Sequence, residues 1–311
     1  MKDDFFHAPV MVKEVVETLL INKKGVYVDA TLGGAGHASA ILENSDCFLV
    51  GIDRDDDALQ HAEKKLASFG KRKVLVKANF SKLKKVLAEL SIEKVDGMLF
   101  DLGVSSHQFD TPERGFSFSF EAPLDMRMDK GEKISAYEIV NSFEQKDLES
   151  IIRAYGEERM AARIARAIIE KRKLAPIKTT TELASVVASA IPAKFKGRKI
   201  HPATKTFQAI RIAVNDELDV IKPAINAATD ALKSGGRVCV ISFHSLEDRI
   251  VKDEFRNLSA SCTCPKDIPY CVCHKQATLT LITKKALKPA EQEIKSNPRA
   301  RSARLRVGQR C

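Results

Sequence analysis

The N-terminal third of the chain alternates short apolar runs with segments of helical periodicity, and this alternation constrains the fold more than any other feature. The apolar, β-branched runs occupy residues 26–32, 47–53, 73–79 and 95–101. Between them, apolar side chains recur at three- and four-residue spacing in residues 35–42, 56–69 and 81–90. Strands that alternate with helices at this pitch predict a parallel, doubly wound α/β sheet.

The pattern changes in the middle of the chain, which shows no convincing strand. Helical periodicity there covers residues 144–155, 157–173 and 180–191. After it come a helix at about 207–232, a strand at 237–243, and apolar runs at 278–284 and 303–307 that could pair antiparallel. We therefore expect one α/β domain, made of residues 1–110 and 201–311, with a helical domain inserted at residues 111–200.

Composition narrows the class of protein. The 311 residues are 44% hydrophobic, and no apolar run approaches the ~20 residues that a membrane-spanning helix needs. The N-terminus lacks the basic-then-apolar order of a secretion signal. Seven cysteines, of which only Cys47 lies in the first half, do not form the pattern of a disulfide framework. We therefore expect a reducing, cytoplasmic compartment.

Basic residues are concentrated in the second half of the chain. There are 51 Lys and Arg against 41 Asp and Glu, and residues 153–205 alone hold 13 basic and 4 acidic residues. A positive surface attracts polyanions such as nucleic acid. A solvated basic face without a partner would look the same, so charge alone does not decide between the two.

Four features follow the first four predicted strands. The glycine-containing loop 29–37 could bring its backbone close to a ligand, although tight turns also need glycine. Asp53 could accept hydrogen bonds from ribose hydroxyls or cap the next helix, and Phe80 could pack on an adenine face. Asp101 ends the fourth strand. Because ligands of parallel sheets bind at the carboxyl ends of the strands, these features together predict a nucleoside-bearing cofactor.

Four of the six cysteines in the second half form two Cys-x-Cys pairs, Cys262 with Cys264 and Cys271 with Cys273. Four thiolates could hold a structural zinc ion in a tetrahedral site. The spacing differs from the commoner Cys-x-x-Cys pattern, and a redox-active dithiol pair or four free thiols would fit the same residues.

Nine motifs are distributed along the chain. Two of them are Phe100-Asp-Leu-Gly-Val-Ser-Ser106 and Ile241-Ser-Phe-His-Ser-Leu-Glu-Asp-Arg-Ile-Val251. The others lie at residues 29–37, 114–118, 123–129, 155–159, 163–166, 201–212 and 297–302. In these motifs the chain resembles the bacterial ribosomal small-subunit RNA cytosine-N4 methyltransferases, the RsmH or MraW family. The similarity runs in order from His7 to Arg306, which is essentially the whole chain.

The resemblance implies a Rossmann-like class I S-adenosylmethionine-dependent methyltransferase domain with an inserted all-helical domain that recognises RNA. It implies methyl transfer to the exocyclic N4 of a cytidine in the decoding region of 16S ribosomal RNA. The cofactor site would comprise Gly34, Ala35, Gly36, His37, Asp53, Phe80, Asp101 and Gln108. Ala35 stands where glycine is frequent, and we expect it to be tolerated if its φ is negative.

Residues that could act on the acceptor base lie after the fourth and fifth strands. Asp101 is the candidate catalytic residue, as an acceptor of hydrogen bonds from the target amine, but a role in cofactor binding alone is equally compatible. Phe243 could stack on an unstacked base, and we expect His244 to be a structural histidine. Activity on DNA or a small molecule, or a non-catalytic ribosome-binding role, are the competing functions.

The expected partner is the small ribosomal subunit with its 16S RNA, with no membrane and no stable protein partner. Three basic groups are candidates for contacts with RNA phosphates. They are Arg159 with Arg163 and Arg166; Lys194 with Lys196, Arg198 and Lys199; and Arg299 with Arg301, Arg304, Arg306 and Arg310.

Overall fold

A computed structural model describes residues 9–192, 201–265 and 270–311. The chain forms two compact units, and each is described by itself below. Unit 1 runs up to Gly103 and resumes at Leu218–Cys311, and unit 2 is Val104–Glu217.

The sheet of unit 1 has seven strands in the order β3-β2-β1-β4-β5-β7-β6. The strands are β1 (Val26–Asp29), β2 (Phe48–Asp53), β3 (Lys73–Lys77), β4 (Val95–Asp101), β5 (Leu232–Ser242), β6 (Leu279–Leu281) and β7 (Arg304–Arg310). The first five are parallel, and β7 pairs antiparallel with both β5 and β6. The predicted doubly wound sheet and its antiparallel final pair are therefore confirmed.

The helices of unit 1 are α1 (Val12–Leu19), α2 (Gly36–Glu43), α3 (Asp56–Lys65), α4 (Leu83–Glu89), α11 (Ile221–Ala231), α12 (Ser245–Ser259) and α13 (Glu291–Ser296). Helices α1, α2 and α3 share one apolar core with alternate strand residues, among them Tyr27, Leu49 and Leu99. Helix α11 contacts both α4 and α12, and none of these three helices contributes a residue to that core. This layering buries both faces of the parallel strands, as their continuous apolar runs require.

Unit 2 consists of α5 (Ser106–Asp110), α6 (Ala136–Ser142), α7 (Gln145–Gly156), α8 (Ala161–Leu174), α9 (Thr180–Ala190) and α10 (Thr204–Asn215). Its core is a single apolar cluster that includes Leu148 of α7, Ile164 of α8 and Ile210 of α10. Apart from the isolated bridge between Pro123 and Thr179, the described residues of unit 2 contain no β-structure.

The limits of unit 2 differ from those expected for the inserted domain. It begins at Val104 rather than at 111, and it ends at Glu217 rather than at 200. The reason is that α10 contributes Phe207 and Ile210 to the core of unit 2. The single helix expected at 207–232 is also wrong, because the chain leaves α10 at Asp216 with a φ of +50° and starts α11 in unit 1. No described helix combines the length and the hydropathy that a bilayer crossing requires.

Candidate functional site

The loop between β1 and α2 is tied to the strands on both sides of β1. The Thr31 hydroxyl accepts a hydrogen bond of 2.6 Å from the backbone N–H of Asp101, at the end of β4. The backbone N–H of Leu32 donates to the carbonyl of Ile52 in β2 at 2.9 Å. These contacts hold the loop at the carboxyl edge of the parallel strands, as the sequence predicts.

Ala35 caps α2 in the left-handed region, with φ +54° and ψ 28°. The expectation that alanine is tolerated here because its φ is negative is therefore wrong. Left-handed backbone costs a non-glycine residue about 1–2 kcal/mol. Because the side chain is fully buried, removal of its methyl group from water contributes about 0.8 kcal/mol of stability, which offsets part of that cost. Burial of the methyl group is the physical reason why alanine can occupy this position.

The two glycines beside Ala35 contribute through their backbone. Gly34 accepts a hydrogen bond from the Lys65 amine at 3.0 Å through its carbonyl oxygen. Gly36 starts α2, and a Cβ atom placed there would come within 2.6 Å of the Pro9 ring. The chain before α1 therefore covers this turn so closely that only glycine fits.

Asp53 is half-buried at the end of β2, and both of its carboxylate oxygens accept backbone hydrogen bonds. Oδ2 accepts from Gly33 at 2.7 Å and Oδ1 from Asp55 at 2.9 Å. Asp55, not Asp53, caps α3 through the N–H of Asp57. The capping alternative for Asp53 is therefore excluded, and each of its oxygens keeps a second lone pair for a ligand hydroxyl.

Phe80 is a half-buried residue at the start of a short 3₁₀ helix after β3. Its ring meets Phe100 of β4 edge-on, with centroids 5.8 Å apart. The hydrogen bond from the backbone N–H of Ser81 to the Asn79 side chain starts this turn. The edge-on contact holds the ring in one orientation without covering both of its faces, which suits a platform for a planar base.

His37 is buried in the first turn of α2 between Val10 and Asp101. Its Nε2 lies 2.9 Å from the Val10 carbonyl oxygen, so Nε2 carries the proton and donates it there. Its Nδ1 lies 3.6 Å from Asp101 Oδ2. Burial lowers the pKa of His37, so the contact between His37 and Asp101 joins a neutral ring to a carboxyl group and is not an ion pair.

Asp101 is half-buried, and one oxygen of its carboxyl group, Oδ1, is buried without a partner. Among the described residues, no group forms a hydrogen bond with this atom. Loss of contact with water, together with the nearby charge of Glu247, raises the pKa of Asp101 to about 7. An unpaired buried carboxylate oxygen is costly, so its presence at a strand end indicates a ligand that supplies a donor or a positive charge.

Asp29 is a site residue that the sequence interpretation missed. It ends β1, is 1% exposed, and accepts a hydrogen bond from the N–H of Thr31. The pKa of Asp29 is raised to about 7, mainly by burial. The charges of Asp101 and Asp53 also raise it, whereas His37 lowers it. The same signal that identified Asp53 and Asp101, an acid at the last position of a parallel strand, could have identified Asp29.

The end of β5 lies beside the end of β4. The N–H of Leu102 donates to the Ile241 carbonyl at 3.0 Å, and a Cβ built at Gly103 would lie 3.8 Å from both Phe243 and Glu247. Glu247 is 1% exposed, and its Oε2 accepts the backbone N–H of Phe243 at 2.7 Å. The half-buried Phe243 ring thus lies next to the turn that follows Asp101.

His244 caps α12. Its Nδ1 accepts the backbone N–H of Glu247, and the carboxylate of Glu247 accepts the backbone N–H of His244. This reciprocal capping box gives His244 a structural role at the N-terminus of the helix.

Gln108 belongs to unit 2, where it is buried in α5. Its side-chain oxygen accepts the backbone N–H of Ser105 at 3.0 Å, and its own N–H donates to the Ser105 hydroxyl at 3.3 Å. Within unit 2, Gln108 is therefore the third residue of a capping box. Its predicted role in cofactor binding stays a prediction.

The three basic groups differ in what their side chains do. Arg159, Arg163 and Arg166 are exposed, the last two on α8. Arg306, in contrast, is fixed by a bidentate pair with Asp248, with Nε–Oδ1 at 2.7 Å and Nη2–Oδ2 at 3.1 Å. Arg310 donates to the Thr278 carbonyl, and the group at 194–199 lies outside the described residues. Arg306 is thus already engaged in an ion pair within unit 1, and the contact of the third group with RNA phosphates stays a prediction.

Comparison with known proteins places the chain in a family. The model of the MraW methylase family matches residues 4–311. The ribosomal RNA small subunit methyltransferase H of Syntrophus aciditrophicus is 56% identical over 98% of each chain. The protein of the same name from Halothermothrix orenii is 51% identical over 98% of each chain.

Several solved structures with a similar fold are much more distant in sequence. An rRNA methylase from Streptococcus thermophilus has a TM-score of 0.43 at 11% identity, covering 96% of this chain and 93% of that chain. The fold assignment therefore rests on the strand order above. On the family match and the identity to its relatives, the chain belongs to the MraW methylase family and is an S-adenosylmethionine-dependent methyltransferase.

Proposed function

We propose that the protein methylates the exocyclic N4 of a cytidine in the decoding region of 16S ribosomal RNA, within the small ribosomal subunit. The observation that carries the proposal is the buried Oδ1 atom of the Asp101 carboxyl group, which has no hydrogen-bond partner among the described residues. Its position at the end of β4, beside Phe243 and Glu247, is where a parallel sheet presents a ligand.

The residues at this edge fit S-adenosylmethionine. Asp53 has lone pairs for the two ribose hydroxyls, and Phe80 offers a ring for the adenine. Asp29 is buried and Asp101 half-buried, and desolvation raises the pKa of both carboxyl groups, so a cation beside them would favour their ionised forms. The cofactor would supply that positive charge. When bound, the cofactor provides an electrophilic methyl group on a sulfonium.

The acceptor amine needs help because its lone pair is delocalised into the cytosine ring. An ionised Asp101 accepting a hydrogen bond from the amine would turn that lone pair away from the ring and toward the methyl group. Positioning of this kind contributes several kcal/mol to lowering a barrier, and general-base assistance contributes about 10²–10⁴-fold in rate. Phe243 would stack on the unstacked target base and fix its plane.

Recognition of RNA is assigned to the helical insertion. Arg163 and Arg166 are exposed on one face of α8, with Arg159 just before it. Cations held at helical spacing on a rigid element match the regular spacing of phosphates and contribute affinity without sequence preference. An enzyme with this substrate would work in the cytoplasm, where the small ribosomal subunit is found.

The test is methyl transfer from labelled S-adenosylmethionine to undermethylated small subunits, naked 16S RNA and DNA in parallel, with nucleoside analysis of the product. We expect label as N4-methylcytidine in the small subunit or its RNA, and none in DNA. Methylation of DNA cytosine, or label on another atom of the RNA, would contradict the proposed substrate. Cofactor binding without transfer to any of the three would contradict the proposed reaction.

Two aspartates on the same turn provide matched variants for this experiment. Asp53→Ala should abolish transfer by weakening cofactor binding at least tenfold, because it removes a charge-assisted acceptor. Asp55→Ala removes the cap of α3 and should cost about 1 kcal/mol of stability while cofactor affinity stays unchanged. Equal loss of cofactor affinity in both variants, measured by calorimetry, would show that Asp53 acts only through the fold.

A further inference from the structure

The connection between α12 and β6 gathers four cysteine sulfurs at one point. The Sγ atoms of Cys262, Cys264, Cys271 and Cys273 all lie within 4.8 Å of one another. Two of the separations are 3.6 Å, between Cys271 and Cys273, and 3.8 Å, between Cys273 and Cys262. The methyltransferase reaction uses none of these residues.

The spacing of the sulfurs is that of a tetrahedral metal site. Four thiolates at about 2.3 Å from a zinc ion form a tetrahedron whose edges are about 3.8 Å long. The two measured separations match this edge. A disulfide would instead bring one pair to about 2.05 Å, and all four cysteines are free.

Backbone N–H groups point at the sulfurs. Thr263 donates to the Cys273 sulfur, Cys264 to that of Cys262, and Val272 to that of Cys264, each at 3.4 Å. Donors of this kind stabilise the negative charge that a metal-bound thiolate carries, and they fix the direction of its lone pairs. These N–H groups therefore support a bound metal, and this support is independent of the sulfur spacing.

The described part of this connection has no apolar core of its own. Tyr270 and Val272 are 80% and 63% exposed, and the cysteines themselves are exposed or half-exposed. Its base is closed by hydrogen bonds from Thr278 to Leu258 and from Lys275 to Asn257. A short segment without a core needs a metal or a disulfide to hold one structure.

We propose that Cys262, Cys264, Cys271 and Cys273 bind one zinc ion, which folds the α12–β6 connection into a fixed loop. All four coordination positions are filled by protein sulfur, so the ion has no open position and its role is structural. Soft thiolate ligands in tetrahedral geometry select zinc or iron over magnesium, calcium or manganese. The site is separate from the carboxyl edge where Asp53 and Asp101 lie, so it stands independently of the proposed substrate.

The first test is metal analysis of the full-length protein, purified without chelator from zinc-containing medium. We expect about one zinc per chain. Replacing it with Co²⁺ should give the intense visible absorption and sulfur-to-metal charge-transfer bands of tetrahedral cobalt–thiolate, and this readout needs no variant. Iron in place of zinc, a protein without metal whose four thiols are free, or two disulfides found by mass spectrometry would overturn the proposal.

Variants locate the ion. Cys271→Ser and Cys273→Ser should each lose most of the bound zinc, whereas Cys311→Ser, which changes an exposed cysteine outside the cluster, should retain it. Chelation of the wild-type protein should make residues 260–265 and 270–277 more susceptible to limited proteolysis, while the rest of unit 1 stays resistant. Zinc retained in both cluster variants, or equal loss in the Cys311 variant, would contradict the assignment.

Discussion

At the residue scale, the site depends on three acids, of which Asp29 is buried and Asp53 and Asp101 are half-buried. Asp29, Asp53 and Asp101 end three neighbouring strands, and burial raises the pKa of each carboxyl group. Keeping such groups together costs stability, because each charge is removed from water and repels the next. A cationic ligand reduces both effects. The stability that the free protein loses through these acids is therefore regained when the cofactor binds, and this adds to the affinity.

The raised pKa values of Asp29 and Asp101 make cofactor binding depend on pH. Both are about 7, and the cation favours the ionised forms, so binding should release protons and tighten as the pH rises from about 6 to about 8. Asp101→Asn should reduce this pH dependence and lower the rate of transfer by about 10²–10⁴-fold. Calorimetry in buffers of different ionisation enthalpy measures the released protons.

The same variant has a second consequence with a defined sign. A carboxyl group whose pKa is raised on folding lowers the free energy of unfolding once it ionises. The effect is absent at pH values below the ordinary pKa of an aspartate, where the group is protonated in both states. It is complete above about pH 7, where the group is ionised in both states. The gain in Tm from Asp101→Asn should therefore be larger at about pH 8 than at about pH 5. A gain that is equal at both pH values, or larger at the lower one, would contradict the assigned pKa.

At the element scale, the strands and long helices follow from local periodicity, whereas several short helices do not. Helices α5 and α6 begin with capping boxes, Ser105 with Gln108 and Ser135 with Glu138. This Ser-x-x-Gln/Glu pattern is a signal that could have identified both helices from the sequence. The start of α12 is harder to find, because a histidine, His244, takes the place of the usual serine or threonine.

The last strand, β7, provides a test of how one arginine is used. The Arg306 side chain is 11% exposed and pairs bidentately with Asp248 of α12. Arg306→Ala should lower the free energy of unfolding by about 2–3 kcal/mol, because it leaves the poorly solvated carboxylate of Asp248 without a partner. Arg301→Ala, at an exposed position, should stay within about 0.5 kcal/mol of wild type in denaturant titrations.

A double-mutant cycle separates the pair from simple loss of packing. Arg306→Ala combined with Asp248→Ala should reduce the free energy of unfolding by less than the sum of the two single variants. The reason is that the second change removes the carboxylate that the first leaves unpaired. Strict additivity would show that the two side chains do not interact in solution.

At the scale of the whole molecule, the chain divides its chemistry between two compact units. Unit 1 holds the sheet edge with Asp53, Phe80 and Asp101, and unit 2 is a separate helical body with its own core. A net charge of +10 favours encounter with RNA, but only the exposed cations can contact phosphates directly.

The division predicts separable effects on the two ligands. Arg163→Ala with Arg166→Ala should weaken RNA binding and reduce the slope of log K against log salt by about 1.5, with cofactor affinity unchanged. Lys13→Ala with Lys85→Ala removes the same charge from exposed positions of unit 1 and serves as the control. A control that reduces the slope equally, in binding assays over a salt series, would mean that only net charge matters.

The sequence by itself determined the order of the strands along the chain, most of the longer helices and the acids at two of the strand ends, because periodicity and chain position are local properties. Only the tertiary structure decided that α10 joins unit 2, that Ala35 takes a positive φ, and that Arg306 pairs with Asp248. It also decided that Asp29 is almost fully buried, and that the sulfurs of the four cysteines, for which the sequence left zinc, a redox pair and free thiols open, lie within 4.8 Å of one another. These outcomes depend on desolvation and on contacts between distant segments, which no local pattern encodes.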